Sequence, residues 1–291
     1  RRYSFVRGDI ADREAVRASL EDETDAIINF AAESHVDRSI ASAEEFVRTN
    51  VLGTQVLLDV ARERGVSRFV HISTDEVMGA LPDDERAFFR DDSPYAPNSP
   101  YAASKAAAEH FVRAAHHTFG LDTVITRCGN NYGPYQFPEK FIPLILSNAL
   151  HDEAIPVYGD GLYTRDWIYV DDHCRAIRLV MEKGEAGGIY NIGARNERRN
   201  IEVVKSILDE LGKPHSLIRF VKDRPGHDRR YAIDPLKVET ELGWRPVESW
   251  ESGLRKTIRW YAENGEWIRR ARSGAYREFY ARQYGEEVGA D

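Results

Sequence analysis

Through the first half of the chain, short apolar runs alternate with longer stretches in which apolar residues recur every three or four positions. That alternation predicts a parallel sheet with crossover helices. Ala26 to Ala32 and Arg68 to Ser73 read as buried strands. Between them Phe46, Val47, Val51, Val56, Leu57 and Val60 fall at helical spacing, and Gly65 closes the helix. Leu121 to Cys128 predicts a further strand, and Tyr3 to Val6 an early one. The Pro- and Asp-rich stretch from Leu81 to Pro100 predicts a loop long enough to form a lid or wall over a site.

Beyond about residue 130 the pattern loosens into short strands, helices and long loops. Gly133-Pro134, Gly159-Asp160-Gly161 and Arg224-Pro225-Gly226 are turn signals. Asp171-Asp172 predicts a cap for a helix running to Lys183, and Asn200 one for a helix that stops at Gly212. The expected organisation is a Rossmann-like doubly wound α/β domain over residues 1–128. A smaller mixed α/β substrate-binding region, 129–291, interleaves with it.

Composition narrows the class. At 291 residues with 42% hydrophobic and 30% charged positions, the chain suits a soluble globular protein of one large or two modest domains. No apolar run reaches membrane-span length. A net charge of −8 argues against nonspecific nucleic-acid or membrane binding, while local basic clusters can still hold a small anion. The two cysteines, Cys128 and Cys174, form neither a disulfide framework nor a metal-ligand spacing, so no metal is expected and a reducing, cytoplasmic setting is.

The chemistry is concentrated between residues 73 and 105. Tyr101 and Lys105, four apart, share one helix face, so the ammonium is expected to lower the phenol's pKa and make it a base for a substrate hydroxyl. The spacing is weak by itself, since surface Tyr/Lys pairs at this interval are common. Its place after Ser73-Thr74, at the carboxyl end of a parallel strand, raises it, because open α/β sheets bind ligands there. Asp75-Glu76 by themselves read as solvated loop acids. Between the strand-end hydroxyls and the Tyr/Lys helix they suit elimination from a ketosugar: one carboxylate as base, the other, protonated, as acid.

Together these residues resemble the dTDP-glucose 4,6-dehydratase family of the extended short-chain dehydrogenase/reductase superfamily. The likeness runs through Gly8-Asp9-Ile10, Ala31 to Ser39, Ser73 to Val77, Tyr101 to Lys105, Asn130 to Pro134, Arg165-Asp166-Trp167 and Asp223 to His227. It implies an NAD-dependent lyase that oxidises C4 of a nucleotide sugar, eliminates water across C5 and C6, and returns hydride to C6. By position, Tyr101 is the C4 base and Lys105 its partner and ribose ligand. Thr74 bonds the C4 oxygen, Glu76 takes the C5 proton and Asp75 protonates the leaving C6 hydroxyl. Along NAD the matches are Asp9, Ile10, Ala31, Ala32, Ser34, Thr49, Tyr101, Lys105 and Asn131. For the nucleotide sugar they are Ser34, Thr74, Asn130, Glu139, Lys140, Pro156, Tyr158, Arg165, Asn200, Arg224 and His227. Arg165 and Arg224 are expected on the diphosphate, where guanidinium forks bind oxygens in pairs.

Two departures stand out. Met78 takes the place of the family's usual tyrosine, which implies altered packing. No Gly-rich phosphate turn precedes these motifs, and the chain opens near the family's third strand. Residues 1–291 alone are therefore expected to bind NAD poorly and to be inactive, with one βαβ unit missing. The expected substrate is dTDP-glucose, and the expected assembly is a homodimer through the helix from Glu44 to Arg64 and the one bearing Tyr101, with Phe46, Leu57, Phe111 and Val112 supplying apolar contacts. A nucleotide-sugar 4-epimerase would share Tyr101 and Lys105 but has no use for Asp75-Glu76. A noncatalytic sugar-nucleotide-binding remnant is the alternative of another class.

Overall fold

A computed structural model describes residues 3–82 and 86–272. Four parallel strands form the main sheet in the order β1 (Ala26–Asn29), β2 (Arg68–Thr74), β3 (Thr123–Cys128) and, from further along the chain, β7 (Ile189–Ile192). Between β3 and β7 lie β4 (Asn130–Tyr132), β5 (Ile155–Tyr158) and β6 (Thr164–Tyr169); β8 (Glu197–Arg199) and β9 (Ile218–Val221) follow β7. A second sheet pairs β4 with β6 in parallel and β6 with β8 antiparallel, and β5 pairs with β9. The fold is a Rossmann-like α/β sheet with flanking helices.

On one face of the main sheet lie α1 (Arg13–Ser19), α4 (Thr54–Glu63) and α5 (Pro100–Phe119), with Val60, Phe69, Val112 and Ile125 in the shared core. The short α2 (Val36–Ala41) and α3 (Glu44–Phe46) precede α4. On the other face α7 (Val170–Lys183) and α9 (Leu236–Leu242) cover Val124 and Ile192. The smaller sheets pack with α6 (Phe141–Leu150), α8 (Asn200–Leu211), α10 (Trp250–Glu263) and α11 (Gly265–Ala271) around Tyr132, Trp167, Val203 and Tyr261.

α5 is well specified at both ends. Ser99 accepts from the Ala102 N–H, Pro100 occupies the first turn, and Gly120 closes the helix at φ 70°. The helix expected from Glu44 to Arg64 forms with a wide π turn at Val47–Gly53. Inside that turn Asn50 bonds both the N–H and C=O of Glu33 and the Ser104 hydroxyl, tying the loop after β1 to α5.

Several expectations are corrected. Tyr3 to Val6 is not a strand; among the described residues it pairs with nothing and lies exposed, and a strand needs a ladder. β1 ends at Asn29, and Phe30 is exposed. Asp171 and Asp172 do not cap α7, whose cap residue is Tyr169; Asp172 instead accepts from the Val247 and Glu248 N–H groups and from Arg175. Asn200 is the first helical residue rather than the cap, which leaves its side chain to face a cleft. Phe46, Leu57 and Val112 are buried within the subunit, whereas Phe111 is 42% exposed.

Candidate active site

β2 delivers the reactive groups. Thr74 ends the strand, its hydroxyl accepts from the Glu76 N–H at 3.3 Å, and Asp75–Met78 form one tight 3-10 turn. Gly79 then turns at φ 80°, and a Cβ there would lie 2.3 Å from the Ala96 carbonyl, so the turn closes only with glycine. Ala96 donates to Val77 C=O, and Phe89 bridges to Ile233. The loop from Leu81 to Pro100 is thus a fixed wall along its described part; residues 83–85 lie outside the described residues.

Thr74, Asp75, Glu76 and Tyr101 line one cavity of 220 Å³ with Ser34, Cys128 and Asn131. Ser34, Glu76, Asn130, Lys140, Phe141, Arg165 and Trp167 are among the lining of an adjoining cleft of 170 Å³, and Ser34, Glu76, Asn130, Lys140, Phe141 and Trp167 line both. The cleft also gathers Glu139, Pro156, Tyr158, Asn200, Arg224 and His227. Residues from β2, β4, β5, β6, α8 and the loops after β1 and β9 therefore converge on a continuous space. Asp9, Ile10, Ala31, Ala32, Thr49 and Lys105 line neither cavity. Asp9 accepts from Arg48 at 2.6 Å beside the π turn, and Ala31 is held by Asn29.

The acid pair is electrostatically divided. Burial, then the neighbouring Glu76, raises Asp75 well above the ordinary carboxylate range. Its Oδ1 meets the Thr74 hydroxyl at 3.3 Å, and its Oδ2 is enclosed without a partner among the described residues. Burial also raises Glu76, but Arg224, Arg165 and Lys140 oppose that shift. The two neighbouring acids thus hold their protons unequally, Glu76 being the one more strongly opposed by cations. Burial, then Glu76 and Cys128, raises Tyr101 well above its usual value, with a bond to Thr74 acting the other way. This corrects the expected lowering by Lys105, whose Nζ donates to the Ile72 carbonyl at 2.7 Å and lies 3.3 Å from His71.

The cleft is cationic at its far end. Arg165 is pinned over the Tyr231 ring and donates to the carbonyls of Thr164 and Asp228 at 2.8 and 2.9 Å. Arg224 meets Asp37 at 3.4 Å, and Tyr158 donates to the same carboxylate at 3.2 Å. His227 stacks on Tyr163 with ring centroids 3.7 Å apart, and its Nδ1 bonds Asp223. Lys140 donates to the Ser34 carbonyl at 2.6 Å, and Glu139 accepts from Arg38.

Sequence reading missed several groups. Gln136, Phe141 and Trp167 line the reactive cavity, Asp37 positions Arg224 and Tyr158, and an enclosed Glu109–Arg127 pair supports the wall. Trp167 and Asp37 lay within quoted motifs; for Glu109 and Arg127 the pairing becomes visible only when α5 and β3 meet. Met78 packs with Val77, Phe89 and Ala106, and its sulfur meets Arg127.

A match to the GDP-mannose 4,6 dehydratase family model covers residues 1–257. A dTDP-glucose 4,6-dehydratase of Xanthomonas campestris pv. campestris is 52% identical over an alignment of 294 positions that covers 94% of this chain and 83% of that protein. The chain belongs to the dTDP-glucose 4,6-dehydratase family. The family likeness extends to Escherichia coli K12, whose dTDP-glucose 4,6-dehydratase 1 is 48% identical over 97% of this chain and 85% of its own length. In three dimensions DesIV, a dTDP-glucose 4,6-dehydratase from Streptomyces venezuelae crystallised with NAD bound, superposes with a TM-score of 0.88 at 52% identity, covering 91% of this chain and 81% of that one.

Asn131, a family position along NAD, is held by a buried histidine. His173 donates from Nδ1 to Asn131 at 2.8 Å, and burial lowers its pKa from 6.5 to about 4. The unfolded chain then binds more protons between those values, so this stabilisation is full above 6.5 and lost as pH falls toward 4. Asp166, raised by burial from 3.8 to about 6, acts in the opposite sense over an overlapping window. His173→Gln should therefore lose less stability than the parent between pH 6 and 5, by roughly 1 kcal/mol for one proton. Urea unfolding at the two pH values measures the difference; equal slopes would remove His173 as the cause.

Proposed function

We infer that this protein catalyses NAD-dependent dehydration of dTDP-glucose to dTDP-4-keto-6-deoxyglucose. The observation that carries the reading is the placing of Asp75 and Glu76 in one cavity with Thr74 and Tyr101, where burial raises Asp75 further than Glu76, which faces Arg224, Arg165 and Lys140. Oxidation and reduction alone would not need two neighbouring acids with different proton affinities. Elimination does: Glu76 removes the C5 proton and Asp75 protonates the C6 oxygen as it leaves. In this scheme Thr74 and Tyr101 hold the C4 oxygen, and Tyr101 takes its proton once the positive charges of Lys105 and oxidised NAD offset the burial that raises the phenol in the free protein. The division at residues 128/129 into cofactor and sugar-nucleotide regions belongs to this reading, as does a cytoplasmic setting. No described helix is long and apolar enough to cross a membrane.

The donor set fits NAD at its two ends. Asp9 offers an exposed carboxylate with Ile10 beside it, while Tyr101, Lys105 and Asn131 gather at the carboxyl ends of β2 and β3. The sequence holds no G-x-G-x-x-G turn for the pyrophosphate. When bound, NAD supplies the hydride acceptor and donor. Incubation with dTDP-glucose and NAD, read for a 4-keto-6-deoxy sugar, tests the function; a C4 epimer as the product would overturn it.

Arg165 and Arg224 are the diphosphate ligands in this scheme, with Asn130, Glu139, Lys140, Pro156, Tyr158, Asn200 and His227 around the nucleotide and sugar. Arg224→Gln should weaken dTDP about 10- to 100-fold, the value of a charge-assisted hydrogen bond. Titration calorimetry with dTDP reads this directly, and unchanged affinity would assign Arg224 to Asp37 alone.

A homodimer through α4 and α5 also belongs to the reading. It is supported by exposed Val47 and Leu52 in the π turn that leads into α4 and by exposed Phe111 and Phe119 on α5. Phe111→Asp should shift the sedimenting species from dimer to monomer at micromolar concentration, whereas a parental monomer would count against the interface.

A further inference from the structure

His71 of β2 is fully enclosed and faces two polar groups. Its Nε2 lies 3.3 Å from Lys105 Nζ, and its Nδ1 lies 3.4 Å from the side-chain nitrogen of Asn29 on β1. The amide orientation of Asn29 is fixed from its other end. Its Oδ1 accepts from the Ala31 N–H at 3.1 Å, a donor that cannot reverse, so Nδ2 is the atom facing His71 and, at 3.3 Å, the Thr54 hydroxyl.

These contacts constrain the protons. With Asn29 donating, His71 Nδ1 must accept, and a neutral imidazole then carries its hydrogen on Nε2. That hydrogen points at Lys105, which already donates to Ile72. An uncharged amine can donate to the carbonyl and accept from Nε2. An ammonium has donors only and opposes Nε2–H. Charged Lys105 requires the other tautomer, which sets Nδ1–H against the Asn29 amide. Rotating that amide relieves the clash but removes the acceptor that holds the Ala31 N–H. Imidazolium offers no third way, because burial and then Lys105 push His71 well below its ordinary range.

We propose that Asn29, His71 and Lys105 form a positioning relay: the charge on Lys105 selects the His71 tautomer, which sets, through the Asn29 amide, whether the backbone at Ala31 is held. Ala31 and Lys105 both occupy family positions along NAD, so the relay would link the charge of the Tyr101 helix to the grip on the cofactor loop. That consequence rests on the function inferred above; the relay itself belongs to the free protein. The groups bearing on Lys105 are His71 from β2, Cys128 from β3 and Glu109 from its own helix, the last tied to Arg127. Burial, only partly offset by Glu109 and Cys128, brings Lys105 down to about 8.

Nitrogen-15 NMR of histidine-labelled protein, without NAD or sugar, tests this over about pH 6.5 to 9.5, above the ordinary histidine titration. Signals are assigned by their loss in His71→Phe. His71 should stay neutral, carry its proton on Nε2 at the alkaline end, and switch to Nδ1 with a midpoint near 8, as the Lys105 charge changes. The Ala31 amide should lose protection on the acidic side, its exchange being taken relative to the base-catalysed rate of an unprotected amide at the same pH. Lys105→Met should abolish the switch and keep Nε2–H throughout. A single tautomer across the range in the parent, ordinary imidazolium titration, or a switch surviving in Lys105→Met would overturn the relay. If either variant fails to fold, the parental titration decides alone. Absence of dehydratase activity would leave the result untouched, so the two readings fail separately.

Discussion

In a full-length protein, Glu76→Gln is expected to bind NAD and dTDP-glucose almost as the parent does, yet to lose about 10²- to 10⁴-fold in product formation, the usual value of a positioned general base. The amide keeps the volume between Arg165, Arg224 and Lys140 and gives up only the carboxylate. In the proposed scheme oxidation at C4 uses Tyr101 and Thr74, so the reaction should stop there, with enzyme-bound NADH absorbance rising and no 4-keto-6-deoxy sugar released. The measurement is a single-turnover absorbance trace beside product analysis. Product at the parental rate would take Glu76 out of the mechanism.

The largest effect on stability is expected at Arg127. Its guanidinium meets Glu109 through contacts of 2.8 to 3.2 Å, and both side chains are enclosed. Glu109 also accepts from the Ser73 hydroxyl at 2.5 Å and from Tyr95 at 2.9 Å, while Arg127 reaches the Asp91 carbonyl. One ion pair therefore joins the end of β2, α5, β3 and the wall loop. Arg127→Met leaves a desolvated carboxylate unpaired and should cost about 3–5 kcal/mol, whereas Arg127→Met with Glu109→Gln should recover a large part of that loss. Urea unfolding of both variants distinguishes the cases; equal losses would show that packing, not the uncompensated charge, dominates.

What could be read in the sequence had local causes. α5 is announced by Ser99, Pro100 and Gly120, and β2 by a run of apolar residues ending in Ser73-Thr74. The cleft's lining was readable only because Asn130, Arg165, Arg224 and their neighbours matched a family; nothing in their spacing brings β4, β6 and the loop after β9 together. The misses arose where tertiary contacts decide. Asn200 and Asp172 have cap chemistry, but one is the first residue of its helix and the other serves the segment at Val247 and Glu248. The pKa of Tyr101 follows from enclosure by groups distant in sequence, while the i, i+4 rule sees only Lys105. Phe111 and Val112 are adjacent and equally apolar; which one faces outward depends on helix phase against the sheet.

The return of β7 to the edge of β3 has a consequence for synthesis on the ribosome. Ile125 pairs with Ile189 and Cys128 with Ile192, so β3 has no neighbour on that side until β4, β5, β6 and α7 have been made. A nascent chain released near residue 130 would present the open backbone of β3, with Val124 uncovered by α7 and α9, to any other extended segment. Premature termination between β3 and β7 should therefore yield aggregates instead of a soluble half, and the two regions should be inherited and exchanged between genes only as a unit.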